Sequence, residues 1–308
     1  VRFIAAILIF VCVSVSAQTN VATVDVGGLL DSVQQWAQTN LDDDVLRALQ
    51  EVDRTQVQDF LRHYQTYLNG DYVLDLAQLK GAATTVLPLL DAHEETQPYA
   101  AWLRSRLDYF EVTEKLQALA PSATNVITPN PTYKQEQEVW VKKMSPKPWS
   151  EAAKEFVPEL KPIFAAEGLP RELVWLAEVE SGFDRRAESP VGALGMFQLM
   201  PETAKQYGLS LWPFDERKQV EPAARAAAQY LRHLHGRFKD WRLAVAAYNC
   251  GEGRVQKLLT AQKTKSYARI ATLLPAETQM YVPKVEAVIL QRERIRLDKL
   301  PAPAQLDR

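Results

Sequence analysis

Cysteine is nearly absent from this 308-residue chain, which has only Cys12 and Cys250. Cys12 lies in an N-terminal apolar segment expected to be removed, so the processed chain would keep one thiol. It could form no internal disulfide, and its stability must come from a packed core. Glycine is also sparse, at 12 residues, while Ala- and Leu-rich stretches recur. That balance favours helices over a sheet sandwich, and the expected fold class is all-α. The histidines, at 63, 93, 233 and 235, show no metal-ligand spacing. There is no glycine-rich phosphate loop and no cysteine cluster, so no cofactor or metal is expected.

Charge of one sign is lacking overall, but its distribution is uneven. Residues 18–130 hold 16 acidic and 7 basic residues; residues 131–308 hold 22 and 28. A basic second half suits a polyanionic polymer, nucleic acid being one and peptidoglycan with its stem-peptide carboxylates another. A mixed solvated surface accounts for the same counts.

The N-terminus reads as a secretory signal. Arg2 precedes the apolar run Phe3 to Val13, and Val15-Ser16-Ala17 offers the small residues a signal peptidase reads. Residues 1–17 are therefore expected to be a leader, and the product exported to the periplasm or cell envelope. Lipidation at Cys12 ranks below simple cleavage, because Val11 stands where a lipobox has Gly, Ala or Ser.

Residues 18–125 read as a helical N-terminal region. Val45, Leu46, Leu49 and Val52, and later Tyr99, Trp102, Leu103, Leu107 and Phe110, recur at spacings of three and four. No catalytic constellation stands out there. Turn chemistry at Pro121-Ser122-Ala123-Thr124-Asn125 and Pro129-Asn130-Pro131 sets a boundary near 125–131. A second unit, 131–290, is punctuated by helix signals. Ser150 caps a helix that Gly168 ends. Pro170 opens the next, to Ser181. Pro201 opens one that stops at Gly208, and Pro222 one that stops at Gly236. Asp240 caps a helix through Asn249. A last pattern runs from about Pro275 to Leu297, with Pro283 expected to kink it or loosen one turn. Residues 298–308 are expected to form a flexible tail.

Leu173, Leu176, Ala177 and Glu180 are spaced to share one helix face, while Glu178 lies roughly 200° around. A carboxyl held among apolar side chains at a helix C-terminus has its pKa raised by burial and by the helix dipole. Such an acid can protonate a glycosidic oxygen. A buried ion pair or a frayed helix end produces the same pattern.

Glu180-Ser181 is followed by Ser189-Pro190-Val191-Gly192-Ala193, then by Gly195-Met196-Phe197-Gln198-Leu199-Met200-Pro201. Tyr248-Asn249-Cys250-Gly251-Glu252-Gly253-Arg254-Val255 and Glu277-Thr278-Gln279-Met280-Tyr281-Val282 come later. This succession, over 131–290, resembles the catalytic domain of soluble lytic transglycosylases, in the goose-type lysozyme-like superfamily. The likeness is nearer to the branch of membrane-bound lytic murein transglycosylase D.

The resemblance implies that Glu180 is the single catalytic acid/base. It implies that Ser189, Gln198, Met200, Tyr248, Asn249, Glu277 and Tyr281 bind or border the glycan, with the Tyr248 hydroxyl supporting Glu180 or the developing charge, and with Glu277 and Tyr281 closing the cleft. Phe197, where relatives often carry Met or Trp, is expected to alter the cleft wall, and Cys250 to be a buried small hydrophobe. The implied reaction cleaves the β-1,4 bond between N-acetylmuramic acid and N-acetylglucosamine and leaves 1,6-anhydromuramic acid ends. Ordinary glycosidases use two carboxylates; here the substrate's N-acetyl group and 6-hydroxyl stand in for the second. The implied partners are peptidoglycan strands and not nucleic acid, with room for peripheral attachment to wall or membrane. A hydrolytic lysozyme on the same fold and a non-catalytic peptidoglycan-binding protein are the alternatives.

Overall fold

The computed structural model describes residues 61–119 apart from His63, 129–144 and 148–305. The expected leader, the 45–60 helix pattern and the 121–125 turn fall outside these residues. Those described are helical, with two isolated bridges at Glu188–Leu194 and Leu194–Leu199 as their only β pairing.

After α-helical residues at 61–62 and 64–68, the labelled α-helices follow in order: α1 (Leu79–Asp91), α2 (Gln97–Leu119), α3 (Tyr133–Lys143), α4 (Glu151–Ala166), α5 (Leu176–Ser181), α6 (Pro201–Gln206), α7 (Val220–Phe238), α8 (Trp241–Cys250), α9 (Glu252–Ala261), α10 (Tyr267–Ile270) and α11 (Ala276–Glu293). The cap signals hold. Ser150 Oγ accepts from Ala153 N and Asp240 Oδ1 from Leu243 N, each satisfying an amide the helix leaves open. Gly168 turns the chain at φ 73° after α4.

Three expectations need correction. Gly236 does not stop its helix: α7 runs on to Phe238 and ends at Lys239, φ 56°. An interior glycine costs about 1 kcal/mol, and the burial of Leu234 and His235 outweighs it. The helix expected after Pro170 is split into a 3-10 stretch, Arg171–Trp175, and α5. Residues 298–305, expected to be flexible, are held against the body. Trp241 Nε1 donates to Pro301 O at 3.0 Å, Ala304 N donates to Gly168 O at 2.8 Å, and Leu300 is buried.

At the centre lies α11, buried at every position from Ala276 to Ile289 and continuous through Pro283. It packs on α2, α3, α5 and α8. A helix buried on all sides is normally apolar, yet α11 carries Glu277, Thr278, Gln279, Lys284 and Glu286. Each is met by a different neighbour: Glu277 by Arg106, Thr278 by Asn249, Gln279 by Leu274 O, Lys284 by Ser105 O, Glu286 by Arg242 and Tyr133. Buried polar groups need such partners, so these bonds fix the register of α11 against the helices around it.

Candidate active site

Glu180 sits in the last turn of α5, 3% exposed, before Gly182 turns the chain at φ 64°. The expected apolar stripe is present: Leu173, Leu176 and Ala177 are fully buried. Val179 and Ser181 are buried as well. The shelter of Glu180 therefore comes from burial of α5 on most sides rather than from one stripe. Glu178 turns the other way and pairs with Arg292 at 2.6 Å.

Around the Glu180 carboxyl, Tyr281 Oη donates to Oε1 at 2.6 Å, and Arg106 Nη2 stands 3.9 Å from Oε2. Burial pushes the carboxyl up to about 7, against the opposing pull of Arg106, the Tyr281 bond and Lys284, with Glu277 adding to the rise. A carboxylic acid near neutral pH can then both give and take a proton.

Glu180 opens onto a cleft of about 310 Å³. One wall is the loop from Gly182 to Met200. Ser189 Oγ accepts from Ala193 N at 2.9 Å, and Ser189 N donates to Ala193 O at 2.8 Å. Gln198, at φ 48°, donates through Nε2 to Ala187 O and Gly195 O, both at 2.9 Å. Its Oε1 is buried and has no donor among the described residues. Met200 lies at the rim, 37% exposed. Arg217 ties the loop down, donating to Gly192 O and Leu199 O. Gly195 admits no side chain, since a Cβ there would fall 2.0 Å from Arg217 O.

The opposite wall comes from the end of α8 and the starts of α9 and α11, with Tyr248, Asn249, Cys250, Arg254, Glu277 and Thr278. Asn249 Oδ1 accepts from Thr278 Oγ1 at 2.6 Å. Glu277 lines the cleft, and both of its oxygens are engaged. Oε1 takes Arg106 Nε and Nη2 at 3.2 and 3.0 Å, and Oε2 takes Gln65 Nε2 at 3.1 Å.

Three expectations about side chains change here. The hydroxyl on the Glu180 carboxyl belongs to Tyr281, while Tyr248 donates to Phe197 O at 2.8 Å and so braces the loop. Phe197 is not cleft wall; it is core, its ring 5.8 Å from that of Phe164. Cys250 is half-buried at the cleft, and burial pushes its thiol up to about 11.

Sequence reasoning missed the contribution of the N-terminal region. Gln65, Asn69, Trp102 and Arg106 all line the cleft. A signal existed: Tyr99, Trp102, Leu103, Arg106 and Phe110 share one helix face, so Arg106 is a charge on an apolar stripe, as Glu180 is.

Residues 164–271 match the family described as Transglycosylase SLT domain. Over 124 residues the chain is 43% identical to membrane-bound lytic murein transglycosylase D of Escherichia coli strain K12, covering 39% of this chain and 27% of that protein. Over 94 residues it is 38% identical to membrane-bound lytic murein transglycosylase F of Alcanivorax borkumensis, covering 28% of this chain and 19% of that protein. Among solved structures, an inactive mutant of the lytic transglycosylase Slt of Pseudomonas aeruginosa aligns over 75% of this chain and 42% of that chain, with TM-score 0.40 and 18% identity. The matched stretch thus spans well under half the length of either murein transglycosylase.

Proposed function

We propose, from the premise that this chain carries a transglycosylase SLT domain over residues 164–271, that it is a lytic transglycosylase of the cell envelope. It cuts the β-1,4 bond between N-acetylmuramic acid and N-acetylglucosamine and leaves a 1,6-anhydro end. The observation that carries this reading is one buried carboxyl, pushed up by burial to about 7, in a cleft whose other deeply placed carboxylate is already spoken for. Glu277 has both oxygens bound by Arg106 and Gln65. It is a poor nucleophile and a poor base for water. Among the described residues a two-carboxylate glycosidase mechanism therefore lacks its second member, which favours a reaction in which the substrate supplies that group.

In the first step Glu180 gives its proton to the glycosidic oxygen. The C1–O bond breaks, the N-acetylglucosamine residue leaves as an alcohol, and the muramic N-acetyl oxygen closes onto C1. In the second, the Glu180 carboxylate takes the proton of the 6-hydroxyl as that oxygen displaces the N-acetyl oxygen at C1. Glu180 ends protonated, as it began, and no water is consumed. The second step is intramolecular, so proximity replaces an activated water. Tyr281, already donating to Oε1, stabilises the carboxylate formed between the two steps.

The unpaired Gln198 Oε1 suits an N–H or O–H of the glycan. Ser189, Met200 and Asn249 border the same space. Tyr248 acts through the loop it braces. We place the protein in the envelope on the strength of its proposed substrate.

The test is mass spectrometry of the products released from purified peptidoglycan sacculi by the full chain. Anhydromuramic ends are expected. Reducing muramic ends would make it a lysozyme, and release of nothing would leave only binding.

A further inference from the structure

We propose that Arg106, in the N-terminal helical region and outside the SLT-matched segment, is a positioning residue of the active site that fixes the proton affinity of Glu180. This rests on the reading of Glu180 as the acid/base. Arg106 is 5% exposed and spans two elements at once. Nη1 donates to the backbone carbonyl of Glu180 at 2.8 Å, while Nε and Nη2 hold Glu277 Oε1. Ser105 Oγ adds a second donor to the Glu180 carbonyl at 3.2 Å. Helix α2 therefore caps the C-terminal end of α5, at the residue that carries the chemistry. Trp102, one turn earlier, lies with its ring 5.3 Å from the guanidinium and fixes its plane.

The geometry sets a balance rather than a simple attraction. The guanidinium is 3.9 Å from Glu180 Oε2, too far for a hydrogen bond, while four of its N–H groups serve Glu277, the Glu180 carbonyl and Ser105 Oγ. A free arginine in contact would ionise Glu180 outright. One already neutralised by Glu277 leaves the carboxyl protonated while still favouring the carboxylate that follows proton transfer. The groups facing Glu180 are Arg106 and Tyr109 from α2, Tyr248 from α8, and Glu277, Tyr281 and Lys284 from α11. Among them Arg106 and Glu277 are in direct contact, and their charges can be removed one at a time in opposite senses.

The experiment follows the pH profile of kcat on purified peptidoglycan with the full chain, alongside circular dichroism as a check on folding. Activity falls on the alkaline side as Glu180 loses its proton. Arg106→Gln should move that limb up by about one pH unit, and Glu277→Gln should move it down. Arg106→Lys should lower kcat with the limb nearly in place, since the charge remains and the fork is lost. If Arg106→Gln does not fold, the double variant Arg106→Gln/Glu277→Gln compared with Glu277→Gln reads the same charge with no carboxylate left unpaired. It should lie above Glu277→Gln by a similar amount. Limbs that coincide with wild type in all folded variants, while Glu180→Gln is inactive, overturn the role of Arg106. An active Glu180→Gln overturns the acid/base reading instead.

Discussion

Glu178 and Glu180 stand two residues apart on one short helix and meet opposite fates. Glu178 faces α11 near its C-terminal end, where Arg292 forks onto it through Nε and Nη2 at 3.0 and 2.6 Å. Glu180 faces the start of the same helix and meets a neutral hydroxyl, with the nearest guanidinium held off at 3.9 Å. Both are carboxylates on a mostly buried helix. The kind of partner separates them: a bidentate guanidinium holds Glu178, whereas at Glu180 a hydroxyl and a pre-engaged cation leave burial to dominate. A reactive acid is thus made as much by what is withheld from it as by what surrounds it.

That contrast can be broken by exchanging what each residue contributes. The largest effect expected is on rate: Glu180→Gln should lower transglycosylase activity about a thousandfold in a chain that still folds, measured as anhydromuropeptide release. The same variant should be more stable than wild type. Glu180 is raised in the folded state from 4.5 to about 7. Its contribution is therefore fully present below pH 4.5 and is lost as pH rises through 7, at a cost of about 3 kcal/mol. Chemical denaturation should show Glu180→Gln gaining that amount at pH 8 and almost nothing at pH 4.

Glu178→Gln should do the reverse. Urea melts should show a loss of about 2 kcal/mol, because Arg292 is left buried beside a neutral amide. Activity per folded molecule should stay within about twofold of wild type. The smallest effect is expected from Tyr281→Phe, which should slow turnover about tenfold and move the alkaline limb of the pH profile upward. It removes a donor to the ionised form only. If Glu178→Gln instead abolished activity in a folded chain, the division of labour drawn here between the two acids would be wrong.

How legible was this in the sequence? The loop wall was, because its constraints are local. Gly195 is required by the close approach of Arg217 O. Ser189 closes its own turn with Ala193, and Gln198 bonds backbone three and eleven residues away. Short-range bonds of this kind leave a motif. The burial of Glu180 was legible from helical spacing, whereas the role proposed for it came from the motif resemblance. The Arg106 contact with Glu277 spans 171 residues and that of Gln65 spans 212. Contacts so long leave no spacing to read, and a charged residue on an apolar helix face was the only trace.

That the hydroxyl on the Glu180 carboxyl is Tyr281's and not Tyr248's was illegible for a related reason. Tyr248 lies near enough for Glu180 to raise its pKa further, after burial. Its hydroxyl is nonetheless taken by Phe197 O. Which hydroxyl reaches the carboxyl is set by the packing of α11, which its paired polar residues fix and which no single motif reports. The α7 and chain-end expectations failed because packing overrode local preference: buried Leu234 carried a helix past glycine, and Trp241 and Gly168 held a Pro-rich segment in place.

The central claim is that Glu180 keeps its proton near neutral pH because burial outweighs the groups that pull the other way. The direct measurement is an NMR titration of the glutamate side-chain carbons, isotope-labelled, with Glu180 assigned by its loss in Glu180→Gln. A midpoint near 7 is predicted. A midpoint between 4 and 5, as for a solvated glutamate, would contradict it.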